Sequence, residues 1–302
     1  MKKGSHAIGH LLALFTCLVW GTSFIFTKIL LERFSPLEIL FFRFIIGYVA
    51  LWIIHPHKLK IESKKEELEL FFAGFFGVTL YFLAENVALS YTLASNVGVL
   101  ISVSPFFTGV LAHFVVNEKI RKSFILGFII SIFGVACISL NGVTLLKLNP
   151  IGDILAIGAA VSWAVYSNLT KKVSENPRYH IIAVTRRIFF YGLITIIPCM
   201  FFMDFSFTGN HMKQLDSWVQ LIFLGLASSA ICYITWNEAM KRIGTVKTSV
   251  YLYLIPVLTL LFSAIVLKEK ITWVALLGTG LILSGLVLSE KTKKKDDDSD
   301  TW

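Results

Sequence analysis

Charge is scarce in this chain. Only 16% of its 302 residues are Asp, Glu, Lys or Arg against 56% hydrophobic, and the mean hydropathy is +0.73, a balance outside that of a water-soluble domain. Cysteine is scarce as well. Cys17, Cys137, Cys199 and Cys232 all fall in apolar runs and lack metal-ligand spacing, which argues against a disulfide framework and against a zinc site. Catalytic signatures are missing: there is no phosphate-binding loop closed by Lys, no HExxH, no GxSxG and no paired Asp cluster. An enzyme embedded in a membrane would need a nucleophile with its base, or clustered ligands for a metal. The expectation is therefore no enzyme activity, no cofactor and no metal.

Apolar length is what the chain has instead. A helix needs about 17–25 mostly apolar residues to cross the hydrocarbon core, and such runs lie at 10–30, 36–54, 69–89, 94–116, 123–140, 153–170, 181–202, 217–238, 246–267 and 273–289. An all-α integral membrane protein of about ten transmembrane helices is the expected fold class. The formal charge of +9 raises nucleic acid as a partner, but the placement of the basic residues decides otherwise. With the N-terminus in the cytoplasm, 18 Lys and Arg residues fall on cytoplasmic segments, whereas five (Arg33, Lys147, Lys213, Lys268 and Lys270) fall outside. Short cytoplasmic loops carry the basic excess. The split puts both termini in the cytoplasm and makes the bilayer the partner, with no nucleic acid. The run from His10 to Leu31 is longer than a signal-sequence core and has no small-x-small cleavage site, so "MKK" is read as the start of a retained helix. The charged end "KTKKKDDDSDTW" reads as a disordered cytoplasmic tail over 290–302.

The same frame is written twice. "WGTSFIFTK" opens at Trp20 and "WAVYSNLTK" at Trp163. At an offset of 143 Trp20 falls on Trp163, Thr27 on Thr170, Lys28 on Lys171 and Arg43 on Arg186. At an offset of 151 Gly74 falls on Gly225, Asn86 on Asn237, Pro105 on Pro256 and Glu118-Lys119-Ile120 on Glu269-Lys270-Ile271. Two units of five helices follow, 10–140 and 150–289. Because five is odd, the second unit enters the membrane from the opposite side, and the units form an inverted pair. One packing of such a pair can open to either face at similar energy, which is the physical basis of many carriers.

The residues that carry the repeat also carry a likeness. "VWGTSFIFTK" with Arg43 in the next helix, "ALSYTLASNVGVLISVSPFFTGVLAHFVVNEKI", "GFIISIFGV", and the echoes "YLIPVLTLLFSAIVLKEKI" and "GTGLILSG" resemble the two EamA units of the drug/metabolite transporter superfamily. The likeness runs over about residues 10–289 and departs at "VNEK", where Gly-Glu is commoner. It implies a carrier of the plasma membrane, often an exporter of amino acids or other small metabolites, with no ATP hydrolysis of its own. A non-transporting receptor or channel is the other class to separate from it.

Charges inside the spans are the first candidates for function, since each is costly at depth unless paired or hydrated. Lys28, Arg43 and Glu85 share a depth toward the outer face, and Lys171, Arg186, Arg187 and Glu238 form a matching inner set. Lys28, Arg43, Lys171 and Arg186 are expected to gate the two mouths; snorkelling to headgroups is the plain alternative for the lysines. Helix faces at i, i+3, i+4 and i+7 then collect Trp20, Ser23 and Thr27 on the first helix, Tyr81 and Glu85 on the third, Trp163 and Tyr166 on the sixth, and Ser229, Tyr233 and Trp236 on the eighth. These polar and aromatic faces are expected to line a central cavity for a small amphipathic molecule, although Ser and Thr also bond helix to helix. Asn96 and Ser102 of the fourth helix stand where the ninth has Lys247 and Tyr253, so Asn96, Ser102 and Tyr253 are candidates for selectivity. Pro105 and Pro256 remove a backbone donor inside matched helices and are read as hinges. His113 is weighed as a proton carrier against a simple neighbour bond. Gly127-xxx-Ser131 and Gly280-xxx-Ser284 predict close packing of helices five and ten on each other or on another copy.

Overall fold

The segment Ser35-Pro36-Leu37-Glu38 shows how a helix start is written here. Ser35 Oγ accepts from the Glu38 N–H at 3.2 Å, the Glu38 carboxylate accepts from the Ser35 N–H at 2.8 Å, and Pro36 sits in the first turn, where no amide partner is needed. The helix it starts is the second of ten in the computed structural model, which describes residues 3–116, 122–144, 150–175, 178–206, 214–243, 248 and 250–290. They are α1 Lys3–Leu30, α2 Pro36–Ile54, α3 Lys64–Tyr91, α4 in two pieces (Ala94–Ile101 and Ser104–Val116) and α5 Lys122–Thr144. The second set is α6 Pro150–Glu175, α7 Ile181–Cys199, α8 Leu215–Ile243, α9 as a 3₁₀ turn Val250–Tyr253 leading into Leu254–Leu267, and α10 Trp273–Glu290. Seven of them contain stretches long and apolar enough to cross a membrane, and three shorter apolar helices fall within α5, α9 and α10. Large apolar side chains such as Phe133 and Ile154 point outward, as suits a molecule whose solvent is lipid. The ten spans expected from the sequence are recovered with ends shifted by a few residues.

The two sets run in opposite senses. Gly9, early in α1, packs on Arg242 and Ile243 at the end of α8, whereas Gly152, early in α6, packs on Thr92 at the far end of α3. The first helices of the two repeats therefore start at opposite ends of the bundle. One end, here the N-terminal end, carries the start of α1 and the segment 55–63. There Arg178 pairs with Glu62 at 2.6 Å and Tyr179 donates to Glu66 at 2.8 Å. The other end carries 31–35, 92–93 and 268–272, and Arg33 pairs there with Asp216 at 2.6 Å. The repeat also recurs in its bracing. Asn86 donates to Pro36 O at 3.0 Å between α3 and α2, and Asn237 reaches Thr185 Oγ1 at 3.5 Å between α8 and α7.

Helices α5 and α10 pack closely on one another. A Cβ on Gly134 would lie 2.6 Å from Gly278 O, and one on Gly285 would overlap Gly127 O and Ser131 Oγ. The pair Gly280-xxx-Ser284 is corrected by the structure: nothing lies within 4 Å of a Cβ on Gly280, and Ser284 is exposed. The contact side of α10 is offset from that pair and uses Gly278 and Gly285 with Ile282. The i, i+4 spacing alone could not tell which side that was.

Three helices leave the α register. Phe75–Leu80 in α3, Phe223–Ile231 in α8 and Ser263–Leu267 in α9 are π-helical; the first follows Gly74 and the second contains its counterpart Gly225. A π turn moves carbonyls out of line with the amides above them, and here side chains take them up. Ser162 donates to Phe76 O at 2.7 Å, Tyr233 to Gly77 O at 2.7 Å and the Trp20 indole to Ser228 O at 3.0 Å. All three bonds join one repeat to the other.

Candidate functional site

Trp20 and Trp163, the opening residues of the repeated frame, meet edge to face between the two repeats with ring centroids 5.4 Å apart. Around them Trp236 lies 5.2 Å from Trp20, Tyr81 lies 5.2 Å and Tyr166 4.9 Å from Trp163, and Tyr233 contacts both tryptophans. Every aromatic residue singled out on α1, α3, α6 and α8 thus belongs to one buried cluster. Tyr166 needs Gly77 opposite it, because a Cβ there would enter the Tyr166 ring.

Beside the cluster lies a chamber bounded by Trp20, Ser23, Tyr81, Glu85, Ser102 and Trp163, with Phe24, Phe82, Ile101, Ser104, Leu252 and Ile255 completing the wall. Its free volume is ≈ 40 Å³, space for about three waters and too little for a metabolite. This conformation leaves no room for cargo. Ser102 and Ser104 sit at the break in α4, where the helix stops at Ile101 and restarts at Ser104 with Pro105 in its first turn; Leu252 and Ile255 sit at the corresponding start of α9, beside Pro256. Both prolines therefore open helical segments next to the chamber rather than kinking a continuous helix.

Glu85 is 2% exposed and its Oε1 has no hydrogen-bond partner. The Tyr81 hydroxyl and the Arg43 guanidinium are its polar neighbours, yet among the described residues no cation comes within ion-pair distance of it. Arg43, fully buried, reaches from α2 into the π segment of α8, where Nε donates to Ser229 Oγ and Nη2 to Ser228 Oγ, each at 3.1 Å, while the guanidinium lies 4.1 Å from the Phe82 ring centre. Of the outer set expected to close one mouth through ion pairs or hydrogen bonds, Arg43 bonds across the repeats to hydroxyls. Lys28 donates to Leu89 O and to Thr92 O at the end of α3.

Of the inner set, Arg186, Arg187 and Glu238 have separate partners. Arg187 pairs with Glu67 at 2.7 Å, and Glu238 with Arg242 at 2.7 Å. Arg186 donates to the carbonyls of His55 and His57 and lies over Trp52 at 3.9 Å. The contrast with Arg43 has a cause in the sequence. At the 151 offset Ser228 and Ser229 become Gly77 and Val78, which offer no hydroxyl, so the second arginine turns to loop carbonyls.

This is the architecture of two similar, inverted helix sets enclosing a small central chamber, and the sequence profile of the EamA-like transporter family matches the chain twice, over residues 7–140 and 150–290. The chain belongs to the EamA-like transporter family. An uncharacterized transporter of Archaeoglobus fulgidus is 30% identical over 93% of this chain and 96% of its own length. A protein of Escherichia coli named "Probable amino-acid metabolite efflux pump" is 28% identical over 92% and 93%. A protein of known crystal structure superposes with a TM-score of 0.68 at 18% identity, covering 96% of this chain and 99% of that one, which bears on the fold. As an EamA-like transporter the chain is a multi-pass membrane protein.

The remaining predicted positions of this EamA-like chain divide as follows. Thr27 Oγ1 is buried without a partner, Asn96 bonds Thr92 at 3.4 Å, and Tyr166, Tyr233 and Trp236 back the chamber wall without bounding it. Lys171 and Tyr253 have their side chains outside the described residues, as does His113; Glu118, Lys247 and the tail after Glu290 lie outside them entirely. Phe82, Ser104 and Ser228 were missed. Phe82 is one residue from the predicted Tyr81 and Ser104 two from the predicted Ser102, and Ser228 lies in the π segment next to the predicted Ser229.

A second opening, ≈ 590 Å³, lies at the end opposite the N-terminal one and is edged by Lys28, Glu32, Leu93, Lys268, Glu269 and Lys270. It shares α1, α3 and α9 with the chamber. Beside this opening Glu269 joins the segment after α9 to the start of α4: its carboxylate accepts from Ala94 N at 2.9 Å, Ser95 N at 3.2 Å and Ser95 Oγ at 2.7 Å. At the N-terminal end Thr16 bonds Thr235 at 2.6 Å and His10 the Tyr251 hydroxyl at 2.9 Å.

Proposed function

We propose that the chain is a secondary carrier of small metabolites, amino acids among them, that works as an exporter or exchanger by alternating access between its inverted repeats and has no enzymatic activity. The observation that carries this reading is the chamber between the repeats: buried, aromatic, supplied with one unpartnered carboxylate oxygen, and placed where α4 is broken and α9 begins. A discontinuous helix at such a site can rock without losing its core contacts. The two repeats, 10–140 and 150–289, would move against each other with Pro105 and Pro256 as hinges. Lys28 and Arg43 would guard one mouth, and Lys171 and Arg186 the other. Trp20, Ser23, Tyr81, Glu85, Ser102 and Trp163 would contact cargo directly, with Thr27, Asn96, Tyr166, Tyr233, Trp236 and Tyr253 behind or above them. The proposed setting is the plasma membrane with both termini cytoplasmic. The efflux activity named for the Escherichia coli relative supports an amino-acid-like cargo. Self-association would have to use faces of α5 and α10 other than the one they share.

The test is reconstitution. Purified protein in liposomes should give saturable uptake and counterflow with some members of a screen of amino acids, nucleobases and organic anions, and Trp163→Ala should lower that flux at least tenfold while the protein stays folded. A steady ohmic current, or no saturable flux with any member of the screen, would remove the carrier reading.

A further inference from the structure

The chamber's polar groups are unevenly matched between donors and acceptors. Ser23 Oγ donates to Trp20 O at 2.8 Å and Ser102 Oγ to Val99 O at 2.6 Å, so each hydroxyl has its one proton committed to the backbone and turns lone pairs to any ligand. The Trp20 indole N–H is committed to Ser228 O. Among the chamber's polar groups the neutral donors left are the Trp163 indole, the Ser104 hydroxyl and the Tyr81 hydroxyl, the last already beside Glu85. The one acidic side chain that bounds the space is Glu85, whereas Arg43 sits behind it, held by Ser228, Ser229 and the Phe82 face. The pair therefore presents its carboxylate end to the cargo. Trp20, Tyr81 and Trp163 also line the space, and aromatic faces attract cations.

We infer that the recognised group of the cargo is a positively charged amine, held by Glu85 and the acceptor oxygens of Ser23 and Ser102 against the tryptophan faces, and that a carboxylate on the cargo is dispensable. This deepens the carrier reading and rests on it. An ammonium is donor only and complements a wall of acceptors. A carboxylate meets no cation on that wall and would leave Glu85 unpaired in a dry site.

The experiment uses the purified full chain in detergent and three side chains (those of leucine, phenylalanine and cysteine), each as the amino acid, as the amine lacking the carboxyl group, and as the N-acetyl acid lacking the charged amine. Binding is read by tryptophan fluorescence and thermal shift. For at least one side chain the amine should bind within about threefold of the amino acid, while the N-acetyl acid binds at least tenfold more weakly. Glu85→Gln should abolish that preference and Glu85→Asp should keep part of it, with the unliganded melting temperature reporting the fold. N-acetyl acids that bind as well as the amines, or no binding by any amine-bearing form, would overturn the inference. The wild-type series decides the matter even if Glu85→Gln fails to fold. Saturable flux of organic anions alone would sink the amine assignment and leave the carrier reading standing.

Discussion

Arg43 has no room to be a passive residue. Two hydroxyls and an aromatic face hold it at zero exposure, and hydrogen bonds to charged groups contribute about 1.5–3 kcal/mol each. Arg43→Gln should lower the melting temperature in detergent by several degrees and reduce folded yield. If it melts like the wild type and loses transport, Arg43 belongs to the transport cycle and not to the scaffold. Tyr233→Phe removes the donor to Gly77 O in the π segment of α3 and should cost about 1 kcal/mol, measured by the same melt. At the N-terminal end, His55 stacks on His180 at 4.1 Å. Partial burial, then the neighbouring His180, His57 and Arg186, hold the His55 imidazole below its ordinary range. A depressed value means the unfolded chain takes up the proton first. Stability from neutral His55 is therefore complete above about pH 6.5 and is lost as pH falls below it. Melting curves between pH 8 and pH 5 should show that loss in the wild type and less of it in His55→Gln.

At the scale of the helix, close approach is decided by backbone rather than by charge. Gly134→Ala would drive a methyl against Gly278 O and Ile282 N, backbone that cannot step aside, so a loss of about 1–3 kcal/mol is expected. Gly280→Ala meets nothing within 4 Å and should be neutral or stabilising by up to about 1 kcal/mol through helix propensity. Comparing their melting temperatures tests the assignment of the shared face. These two glycines also show what was readable beforehand. That α5 and α10 would pack through small residues followed from composition and spacing, but which side of α10 faced its partner did not, because small residues lie on more than one side of that helix. The breaks tell a similar story. Pro105 and Pro256 announced a disturbance in α4 and α9, whereas the π turns of α3 and α8 have no residue that demands them and are held by cross-repeat donors such as Tyr233 and Trp20.

For the molecule as a whole, inversion makes the sharpest demand. A single cysteine at Lys60, in the segment that bonds α7, and one at Lys270, beside the opening edged by Glu269, should react with a membrane-impermeant maleimide from opposite sides of the bilayer, with the wild-type chain as blank. Reaction of both from the same side would contradict the antisymmetry of the repeats. The two ends are also held differently. Glu269→Gln should therefore increase labelling of Ser102→Cys from the Lys270 side more than any comparable change at His10 increases it from the other side.

Hydrophobic runs, the distribution of Lys and Arg, and a frame written twice at a near-constant offset were enough to specify ten helices, two repeats and their opposed directions, because bilayer thickness and backbone hydrogen bonding leave a membrane chain few alternatives. Periodicity likewise brought Trp20, Tyr81, Trp163, Tyr166, Tyr233 and Trp236 to a common centre. The partners of the buried charges were decided only in three dimensions. Arg43 and Arg186 occupy matched places in the repeat, yet one finds serine hydroxyls and the other finds loop carbonyls. A charge buried in a tight interior takes whichever partners the opposing segment brings within about 3 Å, and that segment belongs to the other half of the chain.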